Sequence, residues 1–91
     1  MIPIRVVAAV IERGGRLLLG LRPAEKRHGG LWEFPGGKLD GAETAAEAAH
    51  RELKEELSLE VTAVGERLTT IQDEGSPFVI EFYPVVAEGE P

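Results

Sequence analysis

The strongest constraint in this chain is a stretch that reads as helix and carries acidic residues in fixed phase. Thr44-Ala45-Ala46-Glu47 matches a capping box, with Thr44 as N-cap and Glu47 reaching back to it. Apolar residues then recur at Ala46, Ala49, Leu53 and Leu57, one helical stripe, and the spacing predicts a helix over 45–57. Glu52, Glu55 and Glu56 stand at i, i+3 and i+4 on it, so their side chains share a face and can converge. Two readings are open for that face. One is a solvated acidic surface laced with ion pairs, since Glu47 and Arg51 form a favourable i,i+4 pair, and Arg51 with Glu55 the reverse order. The other is a divalent cation site: hard cations take several carboxylate oxygens and would cancel a repulsion of roughly 0.2–0.5 kcal/mol per close pair.

The helix belongs to a longer pattern. Gly37 is followed after five residues by Glu43, and after seven more by Arg51-Glu52-Leu53-Lys54-Glu55-Glu56-Leu57-Ser58-Leu59. This resembles the Nudix box, G-x5-E-x7-R-E-U-x-E-E-x-G-U, where U is aliphatic. Six fixed glycine or charged positions and both aliphatic ones agree. At about 7% frequency per fixed position, six agreements arise about once in 10⁷ windows. The segment Leu31-Trp32-Glu33-Phe34-Pro35-Gly36-Gly37-Lys38 is similar to the lead into the box in MutT-like members. Leu17-Leu18-Leu19-Gly20-Leu21-Arg22-Pro23 is similar to their strand that ends in Arg. The resemblance covers residues 4 to 86 or so and is most specific over 37–59.

That resemblance implies an α+β fold, an α/β/α sandwich of Nudix type with a mixed sheet and the box helix. It implies metal-dependent hydrolysis of a pyrophosphate linkage in a nucleoside triphosphate or related nucleoside diphosphate derivative. The enzyme would be a MutT-like pyrophosphohydrolase, with nucleotide-pool sanitising among the roles to expect, using Mg²⁺ with Mn²⁺ as substitute. Carried over by position, Glu52, Glu55 and Glu56 become the catalytic carboxylates and metal ligands, joined by the backbone carbonyl of Gly37. Glycine suits that position because backbone must approach an ion closely. Glu52 is favoured as both ligand and general base. Glu43 and Arg51 are expected to orient the site through charge-assisted hydrogen bonds. Arg22 either binds phosphate, as a guanidinium fork can, or is a surface charge. Lys38 either touches phosphate or is solvated. Phe34 packs beside a base or in the core, and Trp32 is structural or on the rim. His28 and His50 are given no role.

The bulk numbers set the outer limits. A chain of 91 residues fits one domain over 1–91, with a modest core and a thin stability margin. Absence of cysteine excludes disulfides and thiolate metal sites, and two histidines are too few for a His-rich one. A net charge of -6 argues against an extended nucleic-acid surface, which needs a basic face. A small anionic nucleotide remains accessible where metal screens the carboxylates. No apolar run approaches the roughly 18–20 residues of a bilayer span, and the start lacks a signal-peptide pattern. The expected location is therefore cytoplasmic, with no membrane partner.

Strands are expected at 4–12 and 16–21 around a Gly14-Gly15 hairpin turn, with a short stretch at 31–34. Further strands are expected at 59–64, 66–72 and 78–86, with an edge or a bulge at Pro84. Two departures from the family pattern stand out. Ser58 replaces the glycine near the end of the box, and in Asp40-Gly41-Ala42 the glycine is displaced by one. MutT-like domains also continue with a further strand and a second helix. Without these the C-terminal part of the sandwich is missing, a sheet face is left apolar, and a homo-oligomer is expected. The alternative function is a Nudix-fold fragment or binding module with little turnover, completed by a partner chain. A third is a purely structural acidic-helix protein.

Overall fold

The structure is a computed structural model that describes residues 2–21, 24, 25 and 30–91. In chain order its elements are β1 (Ile4–Val10), β2 (Glu12–Arg13), β3 (Arg16–Leu17), β4 (Gly20–Leu21), β5 (Trp32–Glu33), β6 (Gly36–Lys38), α1 (Ala45–Leu57), β7 (Glu60–Val64), β8 (Thr69–Ile71) and β9 (Phe78–Glu88). β1 and β9 run parallel at the centre of a mixed sheet, in register from Ile4 opposite Phe78 to Val10 opposite Pro84. β6 pairs antiparallel with the other edge of β1. The far edge of β9 takes two antiparallel strands in succession, β8 near Ile80–Phe82 and β7 near Val85–Glu88.

Period-two alternation decides which residues meet the helix. Val7, Ala9 and, past the strand end, Ile11 turn towards α1, as do Val85 and Ala87 of β9. Leu53 packs among Ala9, Ile11, Leu59, Val61, Val85 and Ala87, while Ala45, Ala48 and Ala49 pack on Val7. Leu53 is fully buried, which contributes about 1.5–3 kcal/mol. The opposite sheet face carries Phe82, met edge-on by Phe34 with ring centroids 5.8 Å apart. No helix covers that face among the described residues, so the second helical layer of a three-layer sandwich is not formed there; Ile71 and Val86 are 47% and 60% exposed. No helix among the described residues is long and apolar enough to cross a membrane.

The helix has the bounds read from sequence, Ala45–Leu57, and the Thr44–Glu47 capping box is present in both directions. Its buried stripe is rotated from the expected one. Ala45, Ala48, Ala49 and Leu53 are buried, whereas Ala46 and Leu57 are half-buried. Small alanines let the first turns lie close to β1, and this rotation aims Glu52 and Glu56 at the sheet edge formed by β6.

Other expectations shift for similar reasons. Gly14 and Gly15 both have positive φ, 57° and 78°, as a two-residue type I′ hairpin turn requires. The returning strand is interrupted rather than continuous over 16–21: Leu18 keeps one hydrogen bond to the Ile11 carbonyl and packs on the core, and β4 begins only at Gly20. The stretch expected at 66–72 is ladder only over Thr69–Ile71. Pro84 lies in a central strand, neither at an edge nor at a bulge; the register shift falls in β7, between Val61 and Ala63. It is tolerated because it sits where β1 ends and β8 gives way to β7, and its carbonyl still accepts from Gly65 N–H at 2.9 Å.

Ser58 ends the helix in the left-handed region, φ 55° and ψ 31°, with its N–H donating to the carbonyls of Leu53 and Lys54. A side chain there is strained by about 0.5–1 kcal/mol relative to glycine. Ser58→Gly should therefore raise the melting temperature by several degrees. A calorimetric scan showing a lower melting temperature would count against the strain argument.

Candidate active site

Arg51 organises the loop that joins β6 to α1. Its Nε donates to Glu43 Oε2 at 2.8 Å and its Nη2 to Glu43 Oε1 at 2.9 Å, a bidentate fork. Nη1 donates to Glu52 Oε1 at 2.9 Å, and Nη2 also reaches the carbonyl of Lys38 at 3.1 Å. Glu43 in turn accepts from the Asp40 N–H at 2.8 Å, while its own N–H donates to the Asp40 carbonyl at 2.9 Å. The turn between them needs Gly41 at φ 50°, so the displaced glycine has a conformational use. Hydrogen bonds from Arg51, then from the Asp40 amide, hold the Glu43 carboxyl down to about 2, and the same contacts raise the Arg51 guanidinium further above its usual range. Glu43 and Arg51, expected to orient the site, meet in this fork. The expected Glu47–Arg51 pairing does not: Glu47 Oε1 accepts from the Thr44 N–H at 2.8 Å, and Arg51 turns to Glu43 and Glu52.

Glu52 and Glu56 meet. The Glu56 carboxyl is pushed up to about 7, first by desolvation, then by a hydrogen bond to Glu52 and by the charges of Glu52 and Glu33, while the Gly36 N–H opposes the rise. Much of the Glu56 residue is exposed, but the carboxylates of Glu52 and Glu33 face its tip, and like charge raises the pKa whatever the depth of burial. Arg51 already neutralises one oxygen of Glu52, so the pair's proton is assigned to Glu56. Gly37, which opens the box, makes room for this pair, and Gly36 before it lies against β1. A Cβ on Gly37 would lie 2.6 Å from the Glu52 carboxyl carbon, and a Cβ on Gly36, at φ 148°, only 1.9 Å from the Val7 carbonyl oxygen.

Beside the pair opens a cleft of about 470 Å³ whose walls include Leu18, Leu19, Leu21, Glu33, Phe34 and Glu56. Apolar walls with a few carboxylates at one end suit a small ligand that has an apolar ring and a cation-bridged polar chain.

The remaining residues singled out from sequence are placed as follows. Glu55 does not join the pair: its side chain is 62% exposed and lies 3.6 Å from Arg51 Nη1. Lys38 alternates away from Gly37, and its ammonium sits 5.4 Å from the Phe78 ring centre, on the sheet face remote from α1. Phe34 packs on Phe82 and lines the cleft. Trp32 is 66% exposed and His50 is exposed on α1. Arg22 and His28 lie outside the described residues. Glu33, outside the expected site set, also lines the cleft, and alternation along β5 sets it on the face opposite Trp32.

Among the described residues no three His, Asp or Glu groups are gathered closely enough to hold a metal ion. The Glu52–Glu56 pair is nevertheless a donor set that a hard divalent cation fits. The like-charge contact that pushes Glu56 up to about 7 is one a cation would relieve, next to a glycine with no side chain to bar it.

Comparison with known proteins agrees with this geometry. The NUDIX domain family profile matches residues 1–90. A CTP pyrophosphohydrolase of Escherichia coli K12 is 49% identical over 80 residues, which is 88% of this chain and 58% of that protein. An 8-oxo-dGTP diphosphatase of Proteus vulgaris is 42% identical over 60 residues, 65% of this chain and 54% of the relative. The chain thus spans somewhat over half the length of these curated relatives. Among solved structures, the E. coli ORF135 protein superposes with a TM-score of 0.78 at 44% identity, over 99% of this chain and 66% of that one. A MutT NUDIX hydrolase from Burkholderia pseudomallei gives 0.84 at 32% identity, over 98% and 71%. Sequence box, mixed sheet with one helix, profile and superposition converge: the chain belongs to the Nudix family.

Proposed function

We propose that this chain hydrolyses a pyrophosphate linkage in a nucleoside triphosphate or a related nucleoside diphosphate derivative, with Mg²⁺ as cofactor and Mn²⁺ as a working substitute. The observation that carries the reading is the meeting of Glu52 and Glu56 beside Gly36 and Gly37, at the mouth of a cleft large enough for part of a nucleotide. Glu52, Glu56 and the Gly37 carbonyl would hold the cation, with Glu55 joining by a rotamer change away from Arg51. When bound, a divalent cation neutralises phosphate charge and makes water a stronger acid.

The chain's own groups do the rest. Arg51 fixes the Glu52 carboxylate against the helix, which limits the rotamers through which Glu52 can accept a proton from attacking water. Glu43 fixes Arg51 in turn. Phe34 and the leucines of β3 and β4 give the cleft a dry wall for a base or sugar, and Arg22 is assigned to phosphate. Lys38 bridges to Phe78 and is assigned no phosphate contact in this conformation. The names of the curated relatives favour CTP and 8-oxo-dGTP as the first compounds to try.

A second reading, a metal-binding module with little turnover, is favoured by one observation: Glu55 faces Arg51 rather than the pair. Release of phosphate and pyrophosphate from a nucleotide panel, with Mg²⁺ or Mn²⁺, separates the two. Wild type should exceed Glu55→Gln and Glu56→Gln by about 10²-fold or more. Equal rates for all three proteins would leave the binding module.

A further inference from the structure

We propose that Arg13 is a positioning residue for the cleft. Its guanidinium clips the β2–β3 hairpin to the end of β9 and so holds the wall formed by Leu18, Leu19 and Leu21. The inference rests on the hydrolase reading for its kinetic consequence, though the clip itself does not.

Arg13 Nη2 donates to the Ala87 carbonyl at 2.5 Å and Nη1 to the Gly89 carbonyl at 2.7 Å. Ala87 lies near the end of β9 and Gly89 just past it, so the two carbonyls are two residues apart. A planar fork with separated donors spans them, whereas an ammonium reaches one. The contact joins residues 74 and 76 positions apart in sequence, tying a local ribbon to the body of the domain.

Among the described residues that ribbon has little else to hold it. β2 with β3, and β4 with β5, share two register pairs each, and ribbons so short are marginal on their own. Leu17, Leu19 and Leu21 are 49%, 39% and 56% exposed, so burial contributes little. Leu18 is the apolar anchor, half-buried on the core, with its N–H donating to the Ile11 carbonyl at 3.0 Å. The register also sets Arg13 directly opposite Arg16, and like charges facing across a hairpin disfavour it. Turning one guanidinium onto two carbonyls of another strand removes that conflict and gives the hairpin a fixed direction.

The consequence is local. The carboxylate pair hangs on α1 and β6, away from Arg13, whereas Leu18 to Leu21 continue directly from the hairpin into the cleft wall. Loss of the clip should loosen the wall and leave the carboxylates in place.

The test uses Arg13→Ala and Arg13→Lys in the full chain, with CTP and 8-oxo-dGTP as probes. For Ala, KM should rise about five- to tenfold with kcat within about twofold, and Lys should fall between Ala and wild type. Amide hydrogen exchange should accelerate about tenfold at Leu18–Leu21, Trp32 and Glu33, with α1 and β1 unchanged. Unchanged exchange at the ribbon overturns the clip, and so does acceleration spread evenly over the domain. A fall in kcat with KM constant overturns the positioning role. Should wild type release no phosphate from either probe, the hydrolase reading fails separately, and exchange alone decides on the clip.

Discussion

Replacing Glu56 by Gln should stabilise the metal-free protein at pH 8 while removing turnover. The folded state holds the Glu56 carboxyl at about 7, whereas an unfolded chain holds it near the ordinary value of about 4.3. The ionised form is therefore disfavoured by folding. That cost is fully present above the folded value and disappears as pH falls below the unfolded one. Wild type without metal should thus gain stability as pH drops from 8 to 5. Gln is uncharged throughout, can donate to Glu52, and can still accept from the Gly36 N–H. Its gain at pH 8 should be roughly 1–2 kcal/mol, below the full 1.36 kcal/mol per unit because solvent screens an exposed side chain. The gain should fall to about a third of that at pH 5 and vanish below about pH 4. Saturating Mg²⁺ should reverse the order, stabilising wild type by mass action and leaving the variant behind. Urea denaturation at pH 5 and 8, with and without Mg²⁺, checks all four states. A variant less stable than wild type at pH 8 without metal would mean that the carboxylates do not crowd as described. A site that destabilises its own fold until ligand arrives is the usual signature of a functional cluster.

How much of this was legible beforehand depends on the range of each interaction. The helix bounds, the Thr44–Glu47 box, the strained Ser58 cap and the Gly14-Gly15 turn are set within four residues of sequence, and periodicity and turn chemistry report them directly. The orienting Arg51–Glu43 fork spans eight residues and was readable only through the family spacing. Alternation says that a strand has two faces, but not which face a helix will cover. Hence sequence alone leaves Lys38 open to phosphate although it lies on the far face with Phe78, and gives no sign that Glu33 lines the cleft. Convergence of three glutamates followed from helical phase. Phase places Cβ atoms; partners choose rotamers, and Arg51 draws Glu55 aside. Least legible were contacts that depend on β1 lying parallel to β9. Arg13 on the carbonyls of Ala87 and Gly89, and Arg5 on Glu81, join residues more than seventy positions apart.

The Arg5–Glu81 contact should account for the largest single stability effect outside the core. Glu81 lies in the central strand on the side of α1, with 4% of its side chain exposed, and no local pattern marks it as anything but an error in an apolar strand. Its carboxylate is satisfied from three directions: Arg5 Nε at 2.6 Å, Arg5 Nη2 at 2.9 Å, and the Tyr83 hydroxyl donating at 2.9 Å. Arg5 holds the carboxyl below the usual range, with smaller help from Tyr83. Because the folded pKa is depressed, the pair's contribution is present above the unfolded value of about 4.3 and is lost as pH falls through the folded one. Arg5→Met keeps the stem that covers the sheet and deletes the charge, leaving a buried carboxylate with one hydroxyl partner. At pH 7 this should cost about 3 kcal/mol. Near pH 4 the bare carboxyl in the variant can take up a proton, so the difference from wild type should shrink to about 1 kcal/mol. Adding Glu81→Leu to Arg5→Met should recover most of the loss at pH 7, since removing both partners leaves nothing unsatisfied except the Tyr83 hydroxyl. Urea midpoints for the three proteins at the two pH values decide the matter. A single variant equally destabilised at both would show that Arg5 acts through packing alone, with the charge of Glu81 irrelevant to the fold.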